Sequence, residues 1–369
     1  MVRRATISDI AKALGVSTTT VHHALHNRSR VSAVTKARVL QMAKELEYQP
    51  NLAARRLKSQ QSLRVSVNLL RGITTFFDQV AAGIKDEASS LAEGYADVQI
   101  RMYAGDGEGE REAFTAALDS NADGIITWSG EPKKISPLMR LASRCNIPVV
   151  CVGTDVPRSG RLAVVSVDTQ ASGAIAADVL GLTLHGRGKV AITIYEISTM
   201  EHAEKLRSFE TTLHSLYPGV EMLSPIEDRN LEALAYERCR DLFLEHPDLG
   251  GIYITTDASI PVIRAARELG LANKIVIVAT DLFPALINEI KAGTVNATIF
   301  QRPRSQGRIA FKALYDYLSY RKCPPTRLTL MPHLVTRGSL DFACQSLQPL
   351  SSPEANDAER AFELVQDGS

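Results

Sequence analysis

Four polar side chains follow short apolar runs that have the composition of β-strands. Asp155 follows the run IPVVCVG after one threonine, and Asp257 and Asp281 end the runs ITTD and VATD. Gln301 follows the run ATIF. A carboxylate accepts hydrogen bonds from two hydroxyl groups, and an amide both donates and accepts. Phe76 and Phe77, in TTFFD after the first such run, can cover the apolar face of a sugar ring. The set predicts a polyol site, although a single Asp after a strand is more often a helix N-cap.

A second group of polar side chains lies in GVSTTTVHHALHNRSRVS, residues 15–32. At 100° per residue, Val21, Ala24 and Leu25 share one helix face, and the other face carries Thr18, Thr19, His22 and His23. Hydroxyls, ring nitrogens and threonine methyls all find partners in the DNA major groove. We expect Thr18, Thr19 and His23 to contact bases, with Ser17 and His22 nearer to phosphates. A metal site at His22 and His26 is disfavoured, since no Glu or Cys accompanies them.

Three short helices must position this face. The first begins after Thr6 and ends at Gly15, the second is capped by Ser17, and the third runs from about Val34 to Glu47 after Ser32. The expected apolar face of the third helix comprises Val34, Ala37, Val39, Leu40, Ala43 and Leu46. Two helices joined by a glycine-containing turn and followed by a third predict a helix-turn-helix, whose second helix enters the major groove.

From Arg64 onward, strand-like and helix-like runs alternate. The strand-like runs are RVSVNLL, VQIRMY, GIITW, IPVVCVG, KVAITIY, GIYITT, KIVIVAT and ATIFQ. Such alternation predicts parallel sheets covered by helices on both faces, here in two α/β lobes. Ligands of these sheets bind at the carboxyl ends of the strands, where the four polar residues lie.

Charge and composition separate the two regions. Met1 to Arg64 contains 12 Lys and Arg against three acidic residues, whereas the remainder contains 30 against 38. A basic module on a mildly acidic body points to a polyanionic partner. The sequence shows no membrane-spanning run and no signal peptide, so we expect a cytoplasmic protein. The five scattered cysteines suggest buried thiols in a reducing compartment, without a paired zinc motif.

Residues 6–62 resemble the headpiece of the lactose/galactose-repressor (LacI/GalR) family. They match its T-I-x-D-I-A, G-V-S-x-x-T-V, V-S-x-x-T-[RK]-x-R-V and Y-x-P-N-x-x-A-R-x-L elements. The resemblance implies a homodimer on double-stranded operator DNA, with paired hinge helices whose Leu57 enters the minor groove. His22 stands where the family usually has Ser. The full set of expected DNA contacts is Thr6, Ser17, Thr18, Thr19, His22, His23, Asn27, Asn51, Ala54, Arg55, Leu57 and Lys58.

The body resembles periplasmic sugar-binding proteins of the ribose type. That resemblance implies ligand contacts from Phe76, Phe77, Asp281 and Gln301, and more loosely from Asp155. In HAEKLRSF the family's sugar-gripping Arg is replaced by Lys205, with Arg207 two residues on, and either can take the role. Thr256 stands in place of the ribose-type Asn before a late Asp, and it completes the expected set together with Asp257.

The expected organisation is a helix-turn-helix domain (1–49), a hinge helix and linker (50–63), a two-lobed sensing and dimerisation body (64–340) and a partly disordered tail (341–369). The predicted function is transcription regulation, of the repressor type, controlled by a small sugar or polyol, with no cofactor and no membrane partner. An α/β enzyme acting on carbohydrate is the alternative. It is disfavoured because no phosphate loop, nucleophile elbow or H-E-x-x-H motif occurs.

Overall fold

The computed structural model describes residues 7–25, 31–46, 62–91, 95–104 and 108–345. They separate into two compact units. The first contains the N-terminal helices and Tyr315–Cys323, and the second contains Leu63–Leu314 and the chain from Pro324. Several expected DNA contacts lie outside the described residues, namely Thr6, Asn27, Asn51, Ala54, Arg55, Leu57 and Lys58. The tail beyond residue 345 also lies outside them.

Three helices form the N-terminal unit: α1 (Ile7–Leu14), α2 (Thr18–Leu25) and α3 (Ala33–Glu45). Gly15 follows α1 with a φ of 64°, a left-handed conformation that glycine adopts without steric cost. The Ser17 hydroxyl accepts from the backbone N–H of Thr20 at 3.0 Å, and Ser32 accepts in the same way from Thr35 at 3.2 Å. The predicted caps at Ser17 and Ser32 are therefore confirmed.

The N-terminal core is small and consists of Ile10, Ala11, Val21, Ala24 and Val39. The expected apolar face of α3 is wrong in part, because Val34, Leu40 and Leu46 are exposed. Only Val39 is fully buried, with Met42 and Ala43 packed beside it. Two eight-residue helices cover no more than this narrow stripe of α3.

The first lobe is a six-stranded parallel sheet. Its strands are β1 (Leu63–Leu70), β2 (Ala96–Tyr103), β3 (Gly124–Thr127), β4 (Val149–Val152), β5 (Ala163–Val167) and β12 (Arg327–Leu330), in the order β12-β5-β4-β3-β1-β2. Its helices are α4 (Thr74–Ser89), α5 (Glu108–Asp119) and α6 (Pro132–Arg144). β1, β3 and β4 are almost wholly buried, as expected for strands covered on both faces.

The second lobe is a seven-stranded sheet. Its strands are β6 (Gly188–Ile194), β7 (Val220–Met222), β8 (Ile226–Glu227), β9 (Leu249–Ile254), β10 (Val276–Thr280), β11 (Ala297–Phe300) and β13 (His333–Thr336). The order is β13-β11-β10-β9-β6-β7, with β8 also on β6, and β13 alone among these described strands is antiparallel. Its helices are α7 (Thr169–Thr183), α8 (Met200–Leu216), α9 (Glu232–Glu245), α10 (Ser259–Glu268), α11 (Pro284–Ala292) and α13 (Leu340–Gln345).

The chain passes between the lobes three times: after β5, after β11 through α12 (Pro303–Tyr320), and between β12 and β13. Small residues allow close helix contacts beside these crossings. A Cβ atom on Gly173 of α7 would lie 2.2 Å from the backbone oxygen of Lys205 in α8. One on Gly307 of α12 would lie 2.1 Å from the backbone oxygen of Val80 in α4. These contacts hold α7 on α8 and α12 on α4 at a separation that only glycine permits.

The predicted fold class is confirmed, and all eight predicted strands occur. Five short strands escaped prediction: β5, β7, β8, β12 and β13. Cys145 and Cys323 are exposed, so the expectation of buried thiols is wrong for these two. The first residues of the expected tail, 341–345, lie in α13, and among them Ala343 and Cys344 pack against the core of the second lobe. No helix within the described residues has both the length and the apolar character needed to cross a membrane.

Candidate functional site

A chain of hydrogen bonds connects three predicted ligand residues in the second lobe. Asp281 directly follows β10, and its carboxylate accepts from the backbone N–H of Gln301 at 2.9 Å and from the Gln301 Nε2 at 2.7 Å. The Gln301 Oε1 in turn accepts from the Lys205 Nζ at 3.1 Å. Because β10 and β11 are parallel neighbours, their carboxyl ends bring Asp281 and Gln301 together. Helix α8 adds Lys205 from above the same edge.

Burial shifts the pKa values of the two ionisable groups in this chain of hydrogen bonds. It raises the pKa of Asp281 to about 6, although the hydrogen bonds from Gln301 and the nearby Lys205 act in the opposite direction. Burial also lowers the pKa of Lys205, against the attraction of Asp281 and Glu201. Both charged groups are costly to keep in this place without partners. Hydroxyl groups of a polyol are suitable additional partners.

Asp257 and Thr256 have different surroundings although they are adjacent. The Thr256 hydroxyl is buried and donates to Asp228 at 2.7 Å, so it is occupied within the second lobe. Asp257 is half-buried and accepts from the Thr75 hydroxyl of the first lobe at 3.4 Å. Burial raises the pKa of Asp257. Gln79, also on α4, donates to the backbone oxygen of Leu282 at 3.2 Å. Helix α4 therefore meets the second lobe across a cleft.

A cluster of aromatic rings in the first lobe lies beside Gly153, which lines this cleft. Phe77 is buried and packs edge-on against Trp128, with ring centroids 5.2 Å apart, and Phe76 is half-buried beside it. Gly153 follows β4, and its backbone lies close to the rings of Trp128 and Phe76. A Cβ atom at Gly153 would lie 3.1 Å from Trp128 and 3.8 Å from Phe76. Of the predicted pair, Phe76 is partly accessible, as is Trp128, whereas Phe77 is buried.

The remaining two predicted ligand residues have other surroundings. Asp155 is buried, and its carboxylate is paired with Arg161 and with Arg327, the latter at 2.8 Å. Its oxygens are therefore largely committed to a salt-bridge network. Arg207 is exposed on α8, whereas Lys205 on the same helix is buried beside Gln301. The geometry favours Lys205 over Arg207 for the family arginine's role.

Sequence reasoning missed three residues of the cleft. Trp128 stood at the end of a predicted strand but was not selected. Glu201 and His202 lie in the first turn of α8; the His202 Nδ1 is 2.9 Å from the Thr255 hydroxyl, and burial holds the pKa of His202 well below its usual value. The HAEKLRSF motif pointed to the right helix. The ionisable side chains that precede Lys205 in the sequence were the signal that could have identified Glu201 and His202 as part of the site.

The N-terminal unit presents a polar surface at the start of α2. Val21 and Ala24 are buried, whereas Ser17, Thr18 and Thr19 are exposed. His23 is half-buried, and the side chain of His22 lies outside the description. The described residues thus place hydroxyl groups at a helix N-terminus, where backbone N–H groups also favour phosphate.

Comparison with known proteins identifies both parts of the chain. Residues 66–322 match the family model of the periplasmic binding protein domain, and residues 6–51 match the model of bacterial regulatory proteins of the lacI family. The chain belongs to the periplasmic binding protein family and carries a lacI-family domain at its N-terminus. Both resemblances inferred from the sequence are confirmed.

Transcription regulators are among the relatives of this chain. Catabolite control protein A of Staphylococcus aureus is 31% identical over 176 residues, which cover 47% of this chain and 52% of the relative. The chain thus matches about half the length of that relative. The regulator MalR of Streptococcus pneumoniae is 29% identical over 269 residues, covering 69% of this chain and 76% of the relative.

A solved sugar-binding protein shares the fold of the body. The solute-binding protein of Burkholderia graminis, crystallised with D-arabinose, superposes with a TM-score of 0.70 at 22% identity. The match covers 76% of this chain and 97% of the binding protein.

Proposed function

We propose that this protein is a sequence-specific, DNA-binding transcription regulator of the repressor type, controlled by a small sugar or polyol. The observation that carries the proposal is the Asp281–Gln301–Lys205 chain at the strand ends, in a protein that also has a lacI-family domain. Carboxylate, amide and ammonium groups at one edge offer both acceptors and donors to a ring of hydroxyls. Phe76 and Trp128 supply the apolar cover on the other side of the cleft.

The DNA partner is inferred from the N-terminal unit. Its exposed Ser17, Thr18 and Thr19 lie at the start of the second helix, which enters the major groove in helix-turn-helix proteins. The basic charge of the first 64 residues supplies the attraction to phosphate. One such domain reads few base pairs, so a homodimer on a near-palindromic operator is part of the proposal. Leu57 of each copy then inserts into the minor groove.

Control by the ligand requires that sugar binding and operator binding are energetically coupled. Closure of the two lobes around the sugar changes the arrangement of the dimer and thereby the fit of the two DNA-binding domains to the operator. A coupling of about 1 to 3 kcal/mol, typical of allosteric proteins, changes operator affinity by about 5- to 150-fold. This coupling acts on DNA in the cytoplasm.

The test measures DNA binding and sugar binding on the same full-length protein. An operator is selected from a random duplex library, and its affinity is measured by fluorescence anisotropy at several salt concentrations, with and without each of a panel of pentoses, hexoses and polyols. We expect log affinity to fall linearly with log salt and one class of sugar to shift it. Absence of salt-dependent retention of any duplex would contradict the proposal, as would turnover of a sugar in place of saturable binding.

Variants separate the two proposed sites. Asp281→Ala should remove the response to the sugar by removing the acceptor of both Gln301 hydrogen bonds.

His23→Ala should change the preferred base at one operator position, whereas Lys58→Ala should weaken binding to all DNA sequences alike. Leu57→Ala should reduce operator bending. Identical base preferences for the wild type and the His23 variant would remove His23 from the reading surface.

A further inference from the structure

Glu201 is an acidic residue whose two carboxylate oxygens are buried. It lies in the first turn of α8, and neither carboxylate oxygen makes a hydrogen bond of normal geometry with the described residues, although both are buried. Burial raises the pKa of Glu201, while the Thr154 hydroxyl and Lys205 act against that rise. A buried carboxylate in this state gains free energy from any group that brings donors to it.

Glu201 lines a cavity of about 290 Å³ between the two lobes. The wall from the first lobe includes Gly153 and Arg327, and the wall from the second lobe includes Gln170 at the start of α7 and Glu201 at the start of α8. The cavity is large enough for a small ring compound. Trp128 lies near it, because Gly153 lines the cavity and also packs against the Trp128 ring. Lys205 follows Glu201 by one helical turn on α8 and is near enough for its charge to lower the pKa of Glu201.

The charged groups that line this cavity are mostly acidic. They are Asp155, Asp168, Glu201, Glu204 and Arg327. Three of the four carboxylates already have partners. Asp155 is paired with Arg161 and Arg327, Asp168 caps α7 by accepting from the N–H of Ala171 at 2.9 Å, and Glu204 accepts from the Thr169 hydroxyl. Glu201 is the one of the four without a hydrogen bond of normal geometry to the described residues, although Thr154 and Lys205 lie near it.

The negative charge around the cavity restricts the chemical class of ligand that can bind there. When the three cations Arg161, Arg327 and Lys205 are counted against the four carboxylates, one negative charge remains, so the surroundings of the cavity disfavour phosphates and carboxylates. A metal ion is a poor candidate, because the described residues contain no group of three or more side chains placed to hold one. An ammonium group has one positive charge and three donors, which suits a buried carboxylate.

We propose that the effector is an amine-bearing sugar or aminopolyol, whose ammonium group is bound by Glu201 while its hydroxyls contact the Lys205–Gln301–Asp281 chain. This inference rests on the proposed function and specifies the chemical class of its effector. A neutral sugar places a hydroxyl at Glu201, which supplies a donor without charge. An N-acetylated sugar lacks the positive charge.

The experiment compares matched sugars on the full-length protein. D-glucosamine, D-galactosamine and D-mannosamine are each titrated beside the neutral hexose and the N-acetyl derivative. The fluorescence of Trp128, the single tryptophan of the chain, and the melting temperature report binding. We expect at least one amine to bind about 10- to 100-fold more tightly than both of its analogues, as a charge-assisted hydrogen bond implies.

Two substitutions locate the effect at Glu201. Glu201→Gln keeps the size and removes the charge, and should erase the preference for the amine. Glu201→Asp keeps the charge on a shorter side chain, and should retain part of that preference. Glu210→Gln is the matched control, because Glu210 lies exposed on the same helix and should leave all affinities unchanged. The melting temperature without sugar verifies that each variant is folded.

Three results would overturn the inference: neutral sugars that bind as tightly as the amines, an amine preference that persists in Glu201→Gln, or no binding of any amine in the panel. Should a neutral sugar bind and shift operator affinity, the proposed function stands and only the amine assignment fails. Should no sugar of either kind affect operator binding, the proposed function itself is in question.

Discussion

The Lys205 Nζ lies 3.1 Å from the Oε1 of Gln301, ninety-six residues further along the chain. The contact joins helix α8 to the end of β11 and keeps a buried ammonium group at the carboxyl edge of the second sheet. Because burial favours the neutral amine, the ammonium is held by its neighbours Gln301, Asp281 and Glu201. Sugar hydroxyls can replace part of the hydration that this group loses.

Lys205→Met tests that role. The substitution keeps the length of the side chain and removes its donors, so sugar affinity should fall about tenfold or more, as for the loss of a hydrogen bond to a charged group. Titration of Trp128 fluorescence measures the change. Lys205→Arg restores the family residue and should recover binding. Lys274→Met, at an exposed position of the same lobe, is the control and should bind like the wild type.

Asp228 should make stability depend on pH. Burial raises its pKa from 3.8 to about 6, so the folded protein binds this proton more tightly than the unfolded chain does. The stability that this proton contributes is full below about pH 4 and is lost as pH rises through about 6. At pH 7.5 the Asp228→Asn variant should therefore unfold at a higher urea concentration than the wild type. Its free energy of unfolding should be higher by about 3 kcal/mol at most. The new amide keeps a partner, because the Thr256 hydroxyl can accept a hydrogen bond from it.

The urea midpoints at pH 4, 5, 6 and 7.5 distinguish this effect from a general one. The difference between Asp228→Asn and the wild type should vanish at the acid end. Asp241→Asn on α9 is exposed and should show no difference at any pH. A constant difference for the Asp228 variant across the range would argue against a raised pKa.

Gly173→Ala should destabilise the second lobe through a steric clash. The added Cβ would lie 2.2 Å from the backbone oxygen of Lys205, so α7 and α8 must move apart. We expect a loss of about 1 to 3 kcal/mol in the free energy of unfolding, together with weaker sugar binding, because α8 carries Lys205. Gly338→Ala, where the nearest atom is 4.0 Å away, should change stability by less than about 0.5 kcal/mol. Denaturant unfolding followed by sugar titration measures both quantities.

Thr18→Val and Thr19→Val should weaken discrimination between operators. Each variant keeps the shape of the side chain and removes the hydroxyl that can bond a base edge or a phosphate. The expected loss is about 1 to 3 kcal/mol on the preferred operator if a base contact is lost, and less on unrelated DNA. Thr211→Val, exposed on α8 of the body, is the control. Equal losses on all duplexes would assign these hydroxyls to the phosphate backbone.

The strands predicted from sequence share one property: they are continuous apolar runs bounded by polar residues. β1, β9 and β10 are of this kind, because both faces of a central parallel strand are buried. β12 and β13 lie at the edges of their sheets, and RLTL and HLVT contain too few apolar residues to stand out. Their place depends on pairing with β5 and β11, which no local pattern encodes.

The candidate site was predictable where it depends on strand ends and not where it depends on distant pairing. Asp281 and Gln301 were found because they follow neighbouring strands. The commitment of Asp155 to Arg327 joins residues 172 positions apart and required the structure. The exposure of Arg207, against the burial of Lys205, likewise depends on how α8 packs.

The interlaced path of the chain has a consequence for biosynthesis. β12, the edge strand of the first lobe, consists of residues 327–330, and these leave the ribosome after every strand of the second lobe except β13. The sheet that begins with the earliest residues of the body is therefore completed almost last. During translation, the nascent first lobe keeps β5 as an open edge and depends on rapid completion, or on a chaperone, to avoid pairing with another chain.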